Sequence, residues 1–65
     1  MMDKYLYYAY VASQAEKEED WHKAHHFWCL AKQFASNDWD NRWARHRATD
    51  INETHQLGYK GMELK

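Results

Sequence analysis

The first 57 residues contain neither proline nor glycine, and the only two glycines are Gly58 and Gly61. A small β fold needs several tight turns, which draw on those residues, so the chain is confined to helices joined by short turns of Ser, Asn and Asp. Its 65 residues allow one domain. At this size an apolar core is marginal without disulfides, a metal, a partner or very dense helix packing. Cys29 is the only cysteine, which excludes a disulfide framework within the chain and suits a reducing compartment, the cytoplasm. A mean hydropathy of −1.09 would suit disorder, but aromatic residues make up 17% of the chain, including four Trp and five Tyr, and this argues for folding. No stretch is long and apolar enough to span a bilayer, and Met1-Met2-Asp3-Lys4 does not open a signal peptide, so a soluble protein is expected.

Periodicity predicts three helices, over about residues 3–18, 21–35 and 38–54. In the first, Tyr5, Tyr8, Ala9, Ala12 and Ala15 share one face. Leu6, Tyr7, Tyr10 and Val11 lie round the rest of the cylinder, leaving its first half apolar on nearly every side. One antiparallel neighbour cannot cover such a helix, so a further contact is expected. In the second, capped by Asp20, the stripe Trp21, Ala24, Trp28, Ala31, Ala35 alternates large and small, allowing a facing helix to approach the alanines. Phe27 and Phe34 widen that face. Ser36-Asn37-Asp38 reads as a turn, with Asn37 or Asp38 capping the third helix, where Trp39 and Trp43 point the same way. Tyr8, Ala12, Trp21, Ala24, Trp28, Ala31, Trp39 and Trp43 form the expected core. Residues 57–65 are a flexible or extended tail, with Leu57, Tyr59, Met62 and Leu64 available to enter a groove. The fold class is thus all-α: a tetratricopeptide-like helical hairpin, a third helix and a short tail.

Three constellations bear on chemistry. His22, His25, His26 and Cys29 lie on one side of the second helix. His22 and His26 at i, i+4 can share a zinc ion with Cys29, but the tetrahedral set lacks a fourth ligand and there is no HExxH. No metal or other cofactor is therefore expected, and the same residues make an ordinary solvated face. His46 and Asp50 permit an Asp-oriented imidazole, yet no nucleophile or phosphate-binding loop accompanies them, so catalysis is not expected. Arg42, Arg45, His46 and Arg47 concentrate positive charge on the third helix. With a net charge of −1, and Asp38, Asp40 and Asp50 close by, this suits a protein partner better than nucleic acid.

The order of features carries a resemblance. An aromatic-rich first helix leads into Ala12-x-x-Ala15-Glu16, then Asp20-Trp21-x-x-Ala24-x-x-x-Trp28-x-x-Ala31, then Asn41-x-Trp43-x-x-x-Arg47-Ala48. Over residues 5–51 this resembles the AraC negative regulator (ANR) family of small bacterial proteins, with PerC-like virulence regulators as more distant relatives. Glu19 stands where a turn glycine is usual, Ile51 where a cysteine is, and His25-His26 where small or apolar residues are. The resemblance implies inhibition of an AraC/XylS-type transcription activator by direct contact, with effects on nucleoid-associated silencers such as H-NS. The expected function is that of a non-enzymatic transcriptional modulator, cytoplasmic and homodimeric, with no membrane association. Tyr7, Tyr10, Val11, Leu30 and Phe34 supply apolar partner or self-contacts, and Arg42, Arg45 and Arg47 polar ones. The alternatives are a phage- or plasmid-borne inhibitor of another host complex, and DNA binding through the third helix.

Overall fold

A computed structural model describes residues 3–59, and the molecule over that span is all-α. It comprises α1 (Lys4–Lys17), α2 (Trp21–Phe34) and α3 (Asp38–Thr54). Each helix begins at a side-chain cap that satisfies an amide left open by the first turn. The Asp3 carboxylate accepts from the Tyr5 amide at 2.9 Å, that of Asp20 from Lys23 at 3.3 Å, and the Asn37 side-chain carbonyl from Asp40 at 2.8 Å. Asn37, rather than Asp38, is the cap of α3.

Helices α1 and α3 end in the same way. After α1, the Glu19 amide donates to Glu16 O at 2.9 Å and the Asp20 amide to Ala15 O at 2.9 Å. After α3, Gln56 donates to Glu53 O at 3.4 Å and Leu57 to Asn52 O at 3.0 Å. Both are Schellman terminations, which place one residue in the left-handed region. Those residues are Glu19 (φ 61°) and Gln56 (φ 52°). The first occupies the position where the resemblance leads one to expect glycine.

Helix α2 packs against both α1 and α3 in a slab of 35 × 29 × 13 Å. Among the described residues the buried apolar ones are Tyr5, Ala12, Ala15, Ala24, Trp28, Ala31, Ala44, Ala48 and Ile51. Alanine supplies six of these nine, so the helices meet at close range, and the two large rings buried among them are Tyr5 and Trp28. Ala12, Ala24, Trp28 and Ala31 thus occupy the core as the α1–α2 stripes suggest, while Tyr8 and Trp21 are half-buried beside it. The third helix requires a correction. Trp39 and Trp43, expected inside, are 76% and 49% exposed. At roughly 100° per residue, the α2-facing side of α3 is set by Ala44, Ala48 and Ile51; Trp39 lies about 140° from Ala44 and Trp43 about 100°.

One acidic residue ties the three helices together. Glu16 accepts from the Trp28 indole nitrogen at 2.6 Å and from Arg47 at 2.5 Å, joining α1 to α2 and to α3. Asn41 adds a bond from its side-chain amide to Lys32 O at 3.2 Å, holding α3 to the end of α2. Beyond α3 the chain turns back. Leu57 packs on the core and Tyr59 reaches the histidine side of α2, whereas the tail residues Met62 and Leu64 lie outside the described residues. No helix among the described residues is long and apolar enough to cross a membrane.

Candidate interaction surface

Because alanines fill the interior, the large side chains are displaced outward. On α3 the outward stripe is Trp39, Arg42, Trp43 and His46, spaced by three and four residues, which line an open groove of about 180 Å³. An apolar space of that order holds about one benzene-sized group. His46 leans toward Trp43, with centroids 6.3 Å apart. Arg42 and Arg45 are exposed, and no carboxylate among the described residues lies within ion-pair distance of either. The groove thus combines exposed indole surface with uncommitted cationic groups. Those are the features of a contact site for another macromolecule.

The third arginine is placed differently. Arg47 is half-buried, bonded to Glu16 and 3.5 Å from Asp50. These pairs hold it against the fold, so it presents less surface than the exposed Arg42 and Arg45 that were expected beside it. Asp50 is accordingly directed at Arg47, while the neighbouring ring of His46 is Trp43.

A second apolar surface lies on α1, where Leu6, Tyr7 and Tyr10 are 61%, 46% and 63% exposed. Tyr7 meets Tyr8 edge-on at 5.1 Å, and Tyr8 stacks on Phe27 and Phe34 at 5.9 and 5.4 Å. The Lys4 ammonium sits 5.0 Å from the centre of the Phe34 ring. Tyr7, Tyr10 and Phe34 therefore keep accessible surface, while Val11 and Leu30 are only half-exposed.

The histidine cluster of α2 does not converge on a metal site: among the described residues no three His, Cys, Asp or Glu side chains could hold a metal ion. His22 and His26 remain exposed, but His25, read as part of a solvated face, is buried at 6% exposure. The tail accounts for this. The Tyr59 ring lies parallel to His25 with centroids 4.1 Å apart, and its hydroxyl is 3.0 Å from His22 Nδ1. Burial, followed by the nearby His22 and His26, lowers the His25 pKa below the usual 6.5. Burial also pushes the Cys29 thiol above its ordinary 9.0 against a smaller opposing influence of Lys32, so it lacks the depressed pKa of a nucleophilic thiol. Asn52 and His55 complete this side: Asn52 brackets the Tyr59 backbone, and His55 stacks on Trp21 at 3.8 Å. Neither has a local sequence signal: His55 meets Trp21 from the cap of α3, 34 residues later in the chain, and Asn52 meets Tyr59 only because the chain turns back at Gln56.

Comparison with protein-family models, curated proteins and solved structures finds no match to the chain.

Proposed function

We propose that the chain is a non-enzymatic helical binding module that modulates transcription by contacting a protein partner through the outer stripe of α3. The observation that carries this reading is the exposure of Trp39 and Trp43 beside uncommitted Arg42. Trp and Arg dominate the energetics of protein interfaces, and exposing a tryptophan at 76% in so small a chain forgoes burial that the fold itself could use. The groove takes one apolar side chain, and Arg42 and Arg45 favour a carboxylate next to it. The partner segment is therefore an apolar anchor flanked by acids. The resemblance of residues 5–51 to the ANR family supplies the partner class to test first, an AraC/XylS-type activator in the bacterial cytoplasm. The α1 surface of Leu6, Tyr7 and Tyr10 is a second contact area, suited to self-association as a homodimer.

The test is a binding titration with a purified activator of that class, preceded by a pull-down from bacterial lysate to widen the search. Trp39→Ala and Arg42→Ala should each weaken capture tenfold or more with unchanged helical circular dichroism. Equal capture by the wild type and both variants would reject the α3 surface.

Direct DNA binding is the second reading, favoured by Arg42 and Arg45 on an exposed helix. The diversion of Arg47 to Glu16 and the net charge of −1 count against it. A steep fall of DNA affinity with rising salt, removed by neutralising Arg42 and Arg45, would favour it over the protein partner.

A further inference from the structure

The contacts made by the tail exceed what is needed to end α3. Gln56 and Gly58 adopt left-handed φ values of 52° and 90°, which turn the chain back across the α2–α3 side. The segment is then fixed by its backbone, its ring and its hydroxyl. Asn52 donates to the Tyr59 carbonyl at 2.9 Å and accepts from the Tyr59 amide at 3.1 Å. The ring covers His25 and the hydroxyl meets His22. We propose that residues 57–59 form a strap over the histidine face of α2, fastened at neutral pH and released in mild acid, with His25 as the sensing group.

The groups facing His25 make the release directional. From α2 these are His22, His26 and the Cys29 sulfur, which lies 3.9 Å from both ring nitrogens. From the strap it is Tyr59, while α3 contributes the neutral amide of Asn52 to the strap and places His55 on Trp21. No carboxylate among the described residues lies within ion-pair distance of these histidines. Histidine is the side chain that gains charge between pH 8 and 5. The His22–Tyr59 bond survives protonation, because a charged imidazole donates to the phenol oxygen instead of accepting from it. The stacked phenol also favours an imidazolium beneath it. Against this, His25 would carry its charge away from water and next to two further imidazoles. Lifting the strap rehydrates His25, so the open form takes up the proton first. Closure is then complete above about pH 6.5 and weakens as the pH falls toward the lower pKa of the covered ring.

The experiment is amide hydrogen exchange on the full chain from pH 8 to 5, corrected for intrinsic rates, with NMR titration of the histidine rings. The Leu57 and Tyr59 amides should lose protection severalfold as the pH falls to 5, while those of Trp28 and Ala31 keep theirs. Tyr59→Ala should move the His25 titration upward toward 6.5. His25→Phe, which keeps an aromatic under Tyr59 without a charge, should make strap protection independent of pH. Flat protection of Leu57 and Tyr59 across the range would overturn the proposal. So would loss of strap and core together at one pH, or a His25 titration unaltered by Tyr59→Ala.

Discussion

Trp28 and Trp39 show how position assigns different work to one residue type. Trp28 is 4% exposed and donates to Glu16, whereas Trp39 is 76% exposed and faces the groove of α3. Replacing Trp28 by Phe removes buried volume and leaves Glu16 without one of its two donors. Together these should lower the unfolding free energy by about 1.5–3 kcal/mol in urea titrations. Trp39→Ala should stay within about 0.5 kcal/mol of wild type, because it deletes neither core contacts nor hydrogen bonds. Glu16→Gln keeps an acceptor for Trp28 but discharges the contact with Arg47. It should cost about 1 kcal/mol, read from the same titrations.

The ends of the elements hold unused stability. Glu19 is a non-glycine residue in the left-handed region, a conformation that costs an L-residue roughly 1–2 kcal/mol, while glycine adopts it freely. Glu19→Gly should therefore raise the unfolding free energy by about 0.5–1 kcal/mol, the remainder being offset by the extra freedom of glycine in the unfolded chain. Asn37→Ala, which strips the cap of α3, should lower it by about 1 kcal/mol; thermal denaturation of both variants checks the pair. These ends also explain what was legible in the sequence. The three helices follow from periodicity and from cap residues at Asp20 and Asn37, which are local signals. The α1–α2 contact follows from matched alanine stripes. The orientation of α3 does not follow from such signals, because Trp39 and Trp43 outweigh Ala44 and Ala48 in any count of apolar residues, although the alanines permit the closer approach. The position of Arg47 was hidden because its partner, Glu16, is 31 residues earlier. The burial of His25 was hidden because its cover arrives from residue 59.

At the scale of the whole molecule, a slab 13 Å thick with a core built mostly of alanine has little apolar burial to draw on, so small electrostatic terms shape its stability. Among the described residues, the buried His25 and Tyr5 and the half-buried Cys29 give that stability a definite pH profile. His25 has a pKa below its ordinary 6.5 in the folded chain, so the unfolded chain binds the proton first, and its contribution is complete above about pH 6.5 and lost as the pH falls. Cys29 and Tyr5 have pKa values above their ordinary 9.0 and 10.0, both chiefly through burial, with Asp40 and Asp3 adding to the effect at Tyr5. For these two the unfolded chain loses the proton first. Their contribution is complete below the ordinary values and lost as the pH rises through the folded ones. The urea midpoint should consequently hold a plateau between about pH 7 and 8.5 and decline on either side. Each edge belongs to named residues. His25→Phe should flatten the limb between pH 7 and 5.5. Tyr5→Phe and Cys29→Ala should each flatten part of the alkaline limb while leaving the acid limb in place. A midpoint that falls equally steeply in His25→Phe and the wild type between pH 7 and 5.5 would assign the acid limb to another group. It would also remove the reason for treating the covered face of α2 as the pH-responsive part of the molecule.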